Sequence, residues 1–156
     1  TDNAILQRET AVPVWGWDAP GTKLTVQFAG QTKTTIADKH GDWMVKLNPL
    51  KVSRAERNVE VKNSRGQAIT LKGVLVGEVW FSSGQSNMVW TADKSMCNQL
   101  ARDLASAKDE VLIREININT MSALYPQKRA TSDDGWKKIS AAGSFSALSL
   151  SFAHEL

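Results

Sequence analysis

The chain has 156 residues, of which 42% are hydrophobic and 22% are charged, as in a globular protein of one compact domain or two small ones. Its formal charge is +3, and the densest basic stretch, Lys51, Arg54 and Arg57, is interrupted by Glu56. That is the pattern of a solvated face, so neither nucleic acid nor a membrane surface is a predicted partner.

Cys97 is the only cysteine, which excludes an internal disulfide, and it is predicted to be a buried residue without a functional role. No run reaches the ~18 apolar residues needed to cross a bilayer.

Residues 1–73 have the pattern of short strands separated by turns. The runs VPVWGW, KLTVQFA, TKTTIA, WMVKL, NVEVKN and AITLKGV are bounded by DAPG, AGQ, DKHGD, NPLK and SRGQ. Alternating runs at about ten-residue spacing predict a small antiparallel β-sandwich over this range. Trp15, Trp17 and Trp43 lie in these runs, and Trp80 lies in the run that follows. All four are predicted to be core residues.

A second architecture is predicted to begin after Gly73. VLVGEVWFS is nearly continuous in apolar residues, which is typical of a strand buried on both faces of a parallel sheet. Met96, Leu100 and Leu104 then recur every four residues and predict an apolar helical stripe, and EVLIREINI has the pattern of another strand. Strand, helix and strand in this order predict a βαβ unit, which assigns residues 74–156 to an α/β domain.

The last predicted element is a helix within which the chain ends. In FSALSLSFAHEL, Phe145, Leu148, Phe152 and Leu156 fall on one helical face, and no Gly, Asn or Pro follows them. Two strands and two helices are too few to cover both faces of a parallel sheet and to satisfy its edges. We therefore expect this domain to be completed by a continuation of the chain or by a second polypeptide.

The stretch SSGQSNM, residues 82–88, contains a candidate nucleophile. A strand that leads through a glycine into a helix holds a serine in an exposed, rigid position, and the helix start supplies amides with partial positive charge. Gly84 is predicted to make the turn. Ser86 has the required position best, because Ser82 and Ser83 lie within or just after the strand. A Ser/Gly/Asn turn of this kind also fits a purely structural cap.

Several other kinds of site are disfavoured. GQSNM lacks the second glycine of the G-x-S-x-G elbow of α/β-hydrolases, and no G-x-x-x-x-G-K-[ST] phosphate loop is present. Glu78, Asp133 and Asp134 have no His or Cys at ligand spacing, so no metal site is predicted. No pair of carboxylates is marked out for glycoside hydrolysis. His40, in a turn, and His154, near the chain end, are predicted to be solvated rather than to act as catalytic bases.

GEVWFSSGQSNMVW resembles the block that opens the catalytic domain of the sialate O-acetylesterase family, a branch of the SGNH hydrolases. DNAILQRETAVPVWGWDAPG, GDWMVKLNPL and FSALSLSFAHEL are similar to further segments of that family, in the same order. The resemblance implies the family's N-terminal portion: a β-sandwich over residues 1–73, then the first part of a three-layer, flavodoxin-like SGNH α/β domain over residues 74–156.

The resemblance also implies an activity. It is that of a serine esterase that needs no cofactor and removes acetyl groups from sialic acid or another acetylated sugar. Family members mostly act outside the cytoplasm, which implies a periplasmic, secreted or lysosomal protein.

The same resemblance assigns roles to individual residues. Ser86 matches the nucleophile, and its own amide forms part of the oxyanion hole. Gln85 and Asn87 shape the turn or the pocket, and Trp90 is a candidate for the wall of the substrate pocket. The other oxyanion donors, the catalytic histidine and its acidic partner lie further along in the family than these 156 residues. The alternative prediction is a non-catalytic carbohydrate-binding or interaction module in which the serine turn is only a cap.

Overall fold

The chain forms two compact units. The computed structural model describes residues 1–107, 111–127 and 129–156. The first unit spans Thr1–Val79 and the second spans Trp80–Leu156, and each has its own hydrophobic core. The division lies a few residues after the boundary predicted between residues 73 and 74, because the last strand of the first unit continues past Gly73.

The first unit is built from seven strands. These are β1 (Ile5–Gln7), β2 (Val12–Trp17), β3 (Lys23–Phe28), β4 (Gln31–Ile36), β5 (Asp42–Leu47), β6 (Ser53–Asn63) and β7 (Ala68–Gly77). Five of them form a mixed sheet in the order β1-β7-β6-β3-β4, in which β1 pairs in parallel with β7 and the other pairs are antiparallel. β2 and β5 form a separate antiparallel pair.

Both sheets contribute to the core of the first unit. Leu24, Val26 and Phe28 are buried along β3, and the residues between them are more exposed, as the two-residue period of a strand requires. Val45 and Leu47 of β5 pack in the same cluster as Val26 and Phe28. The prediction of a unit made mostly of short strands is therefore confirmed, whereas the prediction that its strands are all antiparallel is wrong, because β1 pairs in parallel with β7.

The apolar stretch after Gly73 belongs to the first unit, and its prediction as a strand of the second domain is wrong. Val74, Leu75 and Val76 are all buried in β7, which lies between β1 and β6 and ends at Gly77. Val74 and Val76 contribute to the core of the first unit, and Leu75 pairs with Ile5 of β1. Burial on both faces explains the continuous apolar run, but it does not specify which sheet receives the strand.

The tryptophans predicted to be core residues have different environments. Trp43 packs against the core of the first unit, whereas Trp15 and Trp17 are 52% and 46% exposed. Val12 is buried in β2, so the two-residue period directs Trp15 and Trp17 to the outer face. Their rings meet edge to face with centroids 5.2 Å apart. The prediction that both are core residues is wrong, because a strand pattern alone does not show which of the two faces of the strand is buried.

Gly41, in the turn that contains His40, is predicted to tolerate no side chain. Its φ is +86°, and a Cβ would lie 2.5 Å from the Asp18 carbonyl oxygen. We expect Gly41→Ala to lower the free energy of unfolding by about 2 kcal/mol, because backbone strain and a backbone collision add. The matched control is Gly30→Ala, since Gly30 has a φ of +78° with no atom within 4 Å of the added Cβ and bears only the strain, about 1 kcal/mol. Equal urea midpoints for the two variants would contradict this prediction.

In the part of the second unit that the structure describes, there are three α-helices and little sheet. Its elements are α1 (Ser86–Val89), a 3-10 helix (Ala92–Lys94), α2 (Asn98–Ser106), β8 (Arg114–Ile116), β9 (Trp136–Lys138), a 3-10 helix (Ile139–Ser144) and α3 (Ala147–His154). Leu104, Ile139, Phe145 and Leu150 are central to its core. None of the described helices has the length and apolar character to span a membrane.

Two details of the predicted helices are wrong. Met96 lies before the first residue of α2 and is fully exposed, so the buried stripe is formed by residues within the helix. In α3 the buried residues are Ala147 and Leu150, whereas Leu148 and Phe152 are about half exposed. Within the described part of the second unit, β8 pairs antiparallel with β9 and no parallel strand pair is formed. The three-residue strand β9 was too short to be recognised from its sequence pattern.

Candidate active site

Ser86 lies in an exposed segment that we call the serine loop, residues 80–90. The residues from 78 to 85 form no strand, and α1 begins at Ser86 itself. The turn into α1 is closed by the Met88 N–H, which donates to the Gln85 carbonyl at 2.9 Å. Ser86 is exposed, and within the described residues the structure records no hydrogen bond made by its hydroxyl. Its side chain is therefore accessible at the first residue of a helix.

Gly84 is required in the turn because of a neighbouring side chain, and not because of its backbone conformation. It does not have a positive φ, so a left-handed backbone is not what selects glycine here. A Cβ at this position would instead lie 2.6 Å from Cγ of Met88, whose side chain folds back towards the start of the turn. The bare Cα leaves room for that side chain two residues beyond Ser86.

The neighbours of Ser86 are as exposed as the serine. Gln85 occupies the N-cap position of α1 without a capping hydrogen bond from its side chain, and Asn87 is exposed in the first turn. Ser82 and Ser83 are also exposed and lie outside any strand. Position at the start of α1 therefore distinguishes Ser86 from the other serines of the loop, whereas exposure does not.

Helix α3 holds the serine loop at both of its ends. At the start, the Trp80 ring meets the Phe152 ring edge to face, with centroids 5.3 Å apart. At the end, the Ala147 N–H donates to the Trp90 carbonyl at 2.8 Å. Trp80 is 58% exposed, so its prediction as a core residue is wrong. It packs on one side against α3 instead.

Trp90 has the exposure that a pocket wall would need. Its side chain is 62% exposed, and its backbone is fixed by the bond to Ala147. An exposed indole with a fixed backbone presents a flat apolar surface of the kind that packs against ligands. Its role as part of the substrate pocket stays a prediction.

The two histidines lie in a turn and at a helix end, each beside an acidic residue. His40 lies in a turn of the first unit, where its backbone N–H donates to the Asp38 carboxylate at 2.7 Å. His154 ends α3, is exposed, and has its Nδ1 3.4 Å from the Glu155 carboxylate. These positions agree with the prediction that both rings are solvated.

The acidic residues considered as metal ligands have structural partners. Glu78 accepts hydrogen bonds from Gln7 and Arg8, and these bonds hold the pKa of its carboxyl below the usual value. Asp133 accepts a 2.8 Å bond from a neighbouring asparagine, and Asp134 lies 3.8 Å from a lysine. Among the described residues, no group of three or more His, Cys, Asp and Glu side chains is placed to hold a metal ion.

Glu115, which the sequence pattern did not mark, contacts the residue that precedes α3. It lies in β8 and is partly buried, and its two carboxylate oxygens accept the Ser146 N–H at 3.0 and 3.2 Å, just before α3 begins. Burial raises the pKa of its carboxyl, while the Ser146 bond and the nearby Lys137 act in the opposite direction. The signal in the sequence was a single acid among the isoleucines of IREINI.

Comparison with known proteins identifies the relatives of this chain. No protein-family model matches it. Sialate O-acetylesterase from Homo sapiens is 31% identical over 134 residues, covering 78% of this chain and 25% of that protein. The Mus musculus sialate O-acetylesterase is 27% identical over 150 residues, covering 88% of this chain and 27% of that protein.

A solved structure supports the same relationship. A novel carbohydrate acetylesterase from Xanthomonas citri is 32% identical, with a TM-score of 0.88, and the match covers 100% of this chain and 35% of that one. The chain spans about a quarter of the length of the curated relatives it matches. The sequence identity and the shared fold together show that this chain belongs to the sialate O-acetylesterase family.

Proposed function

We propose that this chain is part of a carbohydrate O-acetylesterase whose nucleophile is Ser86. The observation that carries the proposal is the exposure of Ser86 at the first residue of α1, with no recorded bond from its hydroxyl among the described residues. A structural cap would use that hydroxyl within its own turn, whereas a nucleophile needs it accessible. The relatives named as sialate and carbohydrate acetylesterases support the substrate class.

The proposed reaction proceeds in two steps. The Ser86 hydroxyl attacks the acetyl carbonyl carbon while a histidine takes its proton, and the new oxyanion accepts hydrogen bonds from the Ser86 N–H and further donors. The C–O bond to the sugar then breaks, and the histidine returns the proton to the leaving hydroxyl. Water hydrolyses the acetyl-serine by the same route and releases acetate. No cofactor takes part in this scheme.

We place the histidine and its acidic partner outside these 156 residues. In this proposal the first unit is the family's β-sandwich and the second is the first part of an SGNH α/β domain. That domain is completed by further polypeptide, either a continuation or a second chain. The exposed apolar side chains around the serine loop, among them Phe81 at 90% and Val89 at 76%, support a covering partner. We further propose an extracytoplasmic location, where acetylated glycans are available.

The direct test measures acetate released by the full-length protein from O-acetylated sialic acid and from an O-acetylated oligosaccharide. N-acetylated sugar without O-acetyl groups is the matched control, because its amide is a far poorer electrophile. We expect release from at least one ester and none from the amide. Absence of release from every acetyl ester would contradict the proposed function.

A second candidate function, carbohydrate binding by the first unit, is favoured by its outer face. Trp15 and Trp17 are about half exposed, and Met44, the cross-strand partner of Trp15, is 52% exposed beside them. Aromatic faces exposed on a rigid strand pair are suited to packing against the apolar face of a sugar ring.

The outer face of β2 and β5 can be tested separately from Ser86. We expect the double variant Trp15→Ala/Trp17→Ala to weaken oligosaccharide binding about 30-fold, since two ring contacts worth about 1 kcal/mol each are lost. Its kcat on a small aryl acetate should be unchanged. Ile36→Ala, which removes an exposed apolar side chain from β4, is the control. Unchanged affinity in isothermal titration of the double variant would rule out this function.

A further inference from the structure

A single antiparallel bridge between residues 90–92 and 145–147 fixes the end of the serine loop. Thr91 and Ser146 are the bridge partners. On one side the Ala147 N–H donates to the Trp90 carbonyl at 2.8 Å, and on the other the Ala92 N–H donates to the Phe145 carbonyl at 2.9 Å. The end of the serine loop therefore has its position set by residues 145–147.

The Ser146 N–H takes no part in the bridge and can donate to a different acceptor. In an antiparallel bridge the amide of a residue between two bonded neighbours points away from the partner strand. Glu115 occupies that side and receives the Ser146 N–H with both carboxylate oxygens. The Ser146 carbonyl accepts from Leu150 at 2.8 Å inside α3. Ser146 is thus held by Glu115, by the bridge and by α3.

We propose that Glu115 is a positioning residue for Ser86, acting through the Ser146 amide and the bridge that holds the serine loop against α3. This inference rests on the proposed function of Ser86. Glu115 has no recorded contact with Ser86 within the described residues, so its effect is on the placement of the loop.

Glu115 holds the Ser146 amide through a strong hydrogen bond from a fixed position. A carboxylate bonded to a backbone amide makes a charge-assisted bond, which is roughly twice as strong as a neutral one. Glu115 and Lys137 are register partners in β8 and β9, so the position of the carboxylate is fixed by the strand pair. Loss of the side chain leaves the Ser146 N–H without its acceptor and frees residues 145–147 to shift. A full displacement of about 1 Å at a nucleophile can cost about 100-fold in rate, and a smaller shift of a loop that keeps its bridge bonds predicts a smaller loss.

The experiment compares Glu115→Ala and Glu115→Gln in the full-length protein. We expect Glu115→Ala to lower kcat for acetate release about tenfold with KM within about twofold, since the alignment of the nucleophile changes and the substrate contacts remain. Glu115→Gln keeps one side-chain oxygen as an acceptor for Ser146 and should restore kcat to within about threefold of wild type. Hydrogen exchange should be faster in residues 80–92 of the alanine variant only.

The control is Leu104→Ala, which destabilises the same unit through its core. Its kcat should stay within about twofold of wild type at a temperature where it is folded. An unchanged kcat and unchanged exchange in Glu115→Ala would overturn the inference, as would an equal loss of kcat in Leu104→Ala at matched stability.

A wild type that releases acetate but does not depend on Ser86 would refute the proposed function, and the positioning role with it. An active, Ser86-dependent wild type with no response to Glu115→Ala would refute the positioning role alone.

Discussion

Replacing Ser86 with alanine is expected to lower kcat for acetate release by about 10³-fold or more. Removal of a serine nucleophile abolishes the covalent route and leaves only the contributions of the oxyanion site and of binding. KM should change little, because the hydroxyl is exposed at the start of α1 and the structure records no bond in which it supports the loop. Steady-state acetate release by the full-length protein measures the effect.

Ser83→Ala is the matched control for this experiment. Ser83 belongs to the same loop, is exposed like Ser86, and lies before the start of α1. We expect its kcat to stay within about twofold of wild type, since it lacks the helix-start amides that stabilise an oxyanion. Full activity in Ser86→Ala, or equal losses in both variants, would contradict the assignment of the nucleophile.

Replacing Phe145 with alanine is expected to cause the largest loss of stability in the second unit. Phe145 is 1% exposed and contacts the core formed by residues of α2, α3 and the two 3-10 helices. Truncating a buried phenylalanine costs about 3–5 kcal/mol, because its transfer energy is lost and a cavity is left behind. Its backbone carbonyl also accepts the Ala92 N–H, so the cavity lies beside the bridge that fixes the serine loop.

Urea unfolding followed by circular dichroism measures this loss. Phe145→Leu fills most of the same volume and should cost clearly less, about 1–2 kcal/mol. Hydrogen exchange in residues 80–92 should increase in Phe145→Ala well before global unfolding, since the bridge depends on the same residue. A loss below about 1 kcal/mol would show that Phe145 does not hold this core together.

Local periodicity was enough to predict much of the first unit. The alternation of Leu24, Val26 and Phe28 with polar residues indicates a half-buried strand, and β3 has that burial. The same reasoning did not assign β7 correctly, because burial of Val74, Leu75 and Val76 on both faces occurs in a mixed sheet as well as in a parallel one. Strand partners are set by contacts distant in sequence, which a local pattern does not contain.

At the candidate site, too, the local sequence predicts the turn, whereas the contacts between residues distant in sequence follow only from the fold. The small residues before Ser86 predict a turn into a helix, and α1 begins at that residue. The requirement for glycine at position 84 depends on where the Met88 side chain lies, which follows from side-chain packing rather than from composition. Glu115 and Ser146 are 31 residues apart, and only the fold brings them together.

The central claim is that Ser86 is the nucleophile, and covalent labelling tests it most directly. The full-length protein is treated with an organophosphonate ester and digested with trypsin, which releases residues 73–94 as one peptide containing Ser82, Ser83 and Ser86. Fragment masses should place the phosphonate on Ser86 alone, and acetate release should be lost in proportion to the labelling of that residue. Modification of a different serine, or full loss of activity without any label in this peptide, would contradict the assignment.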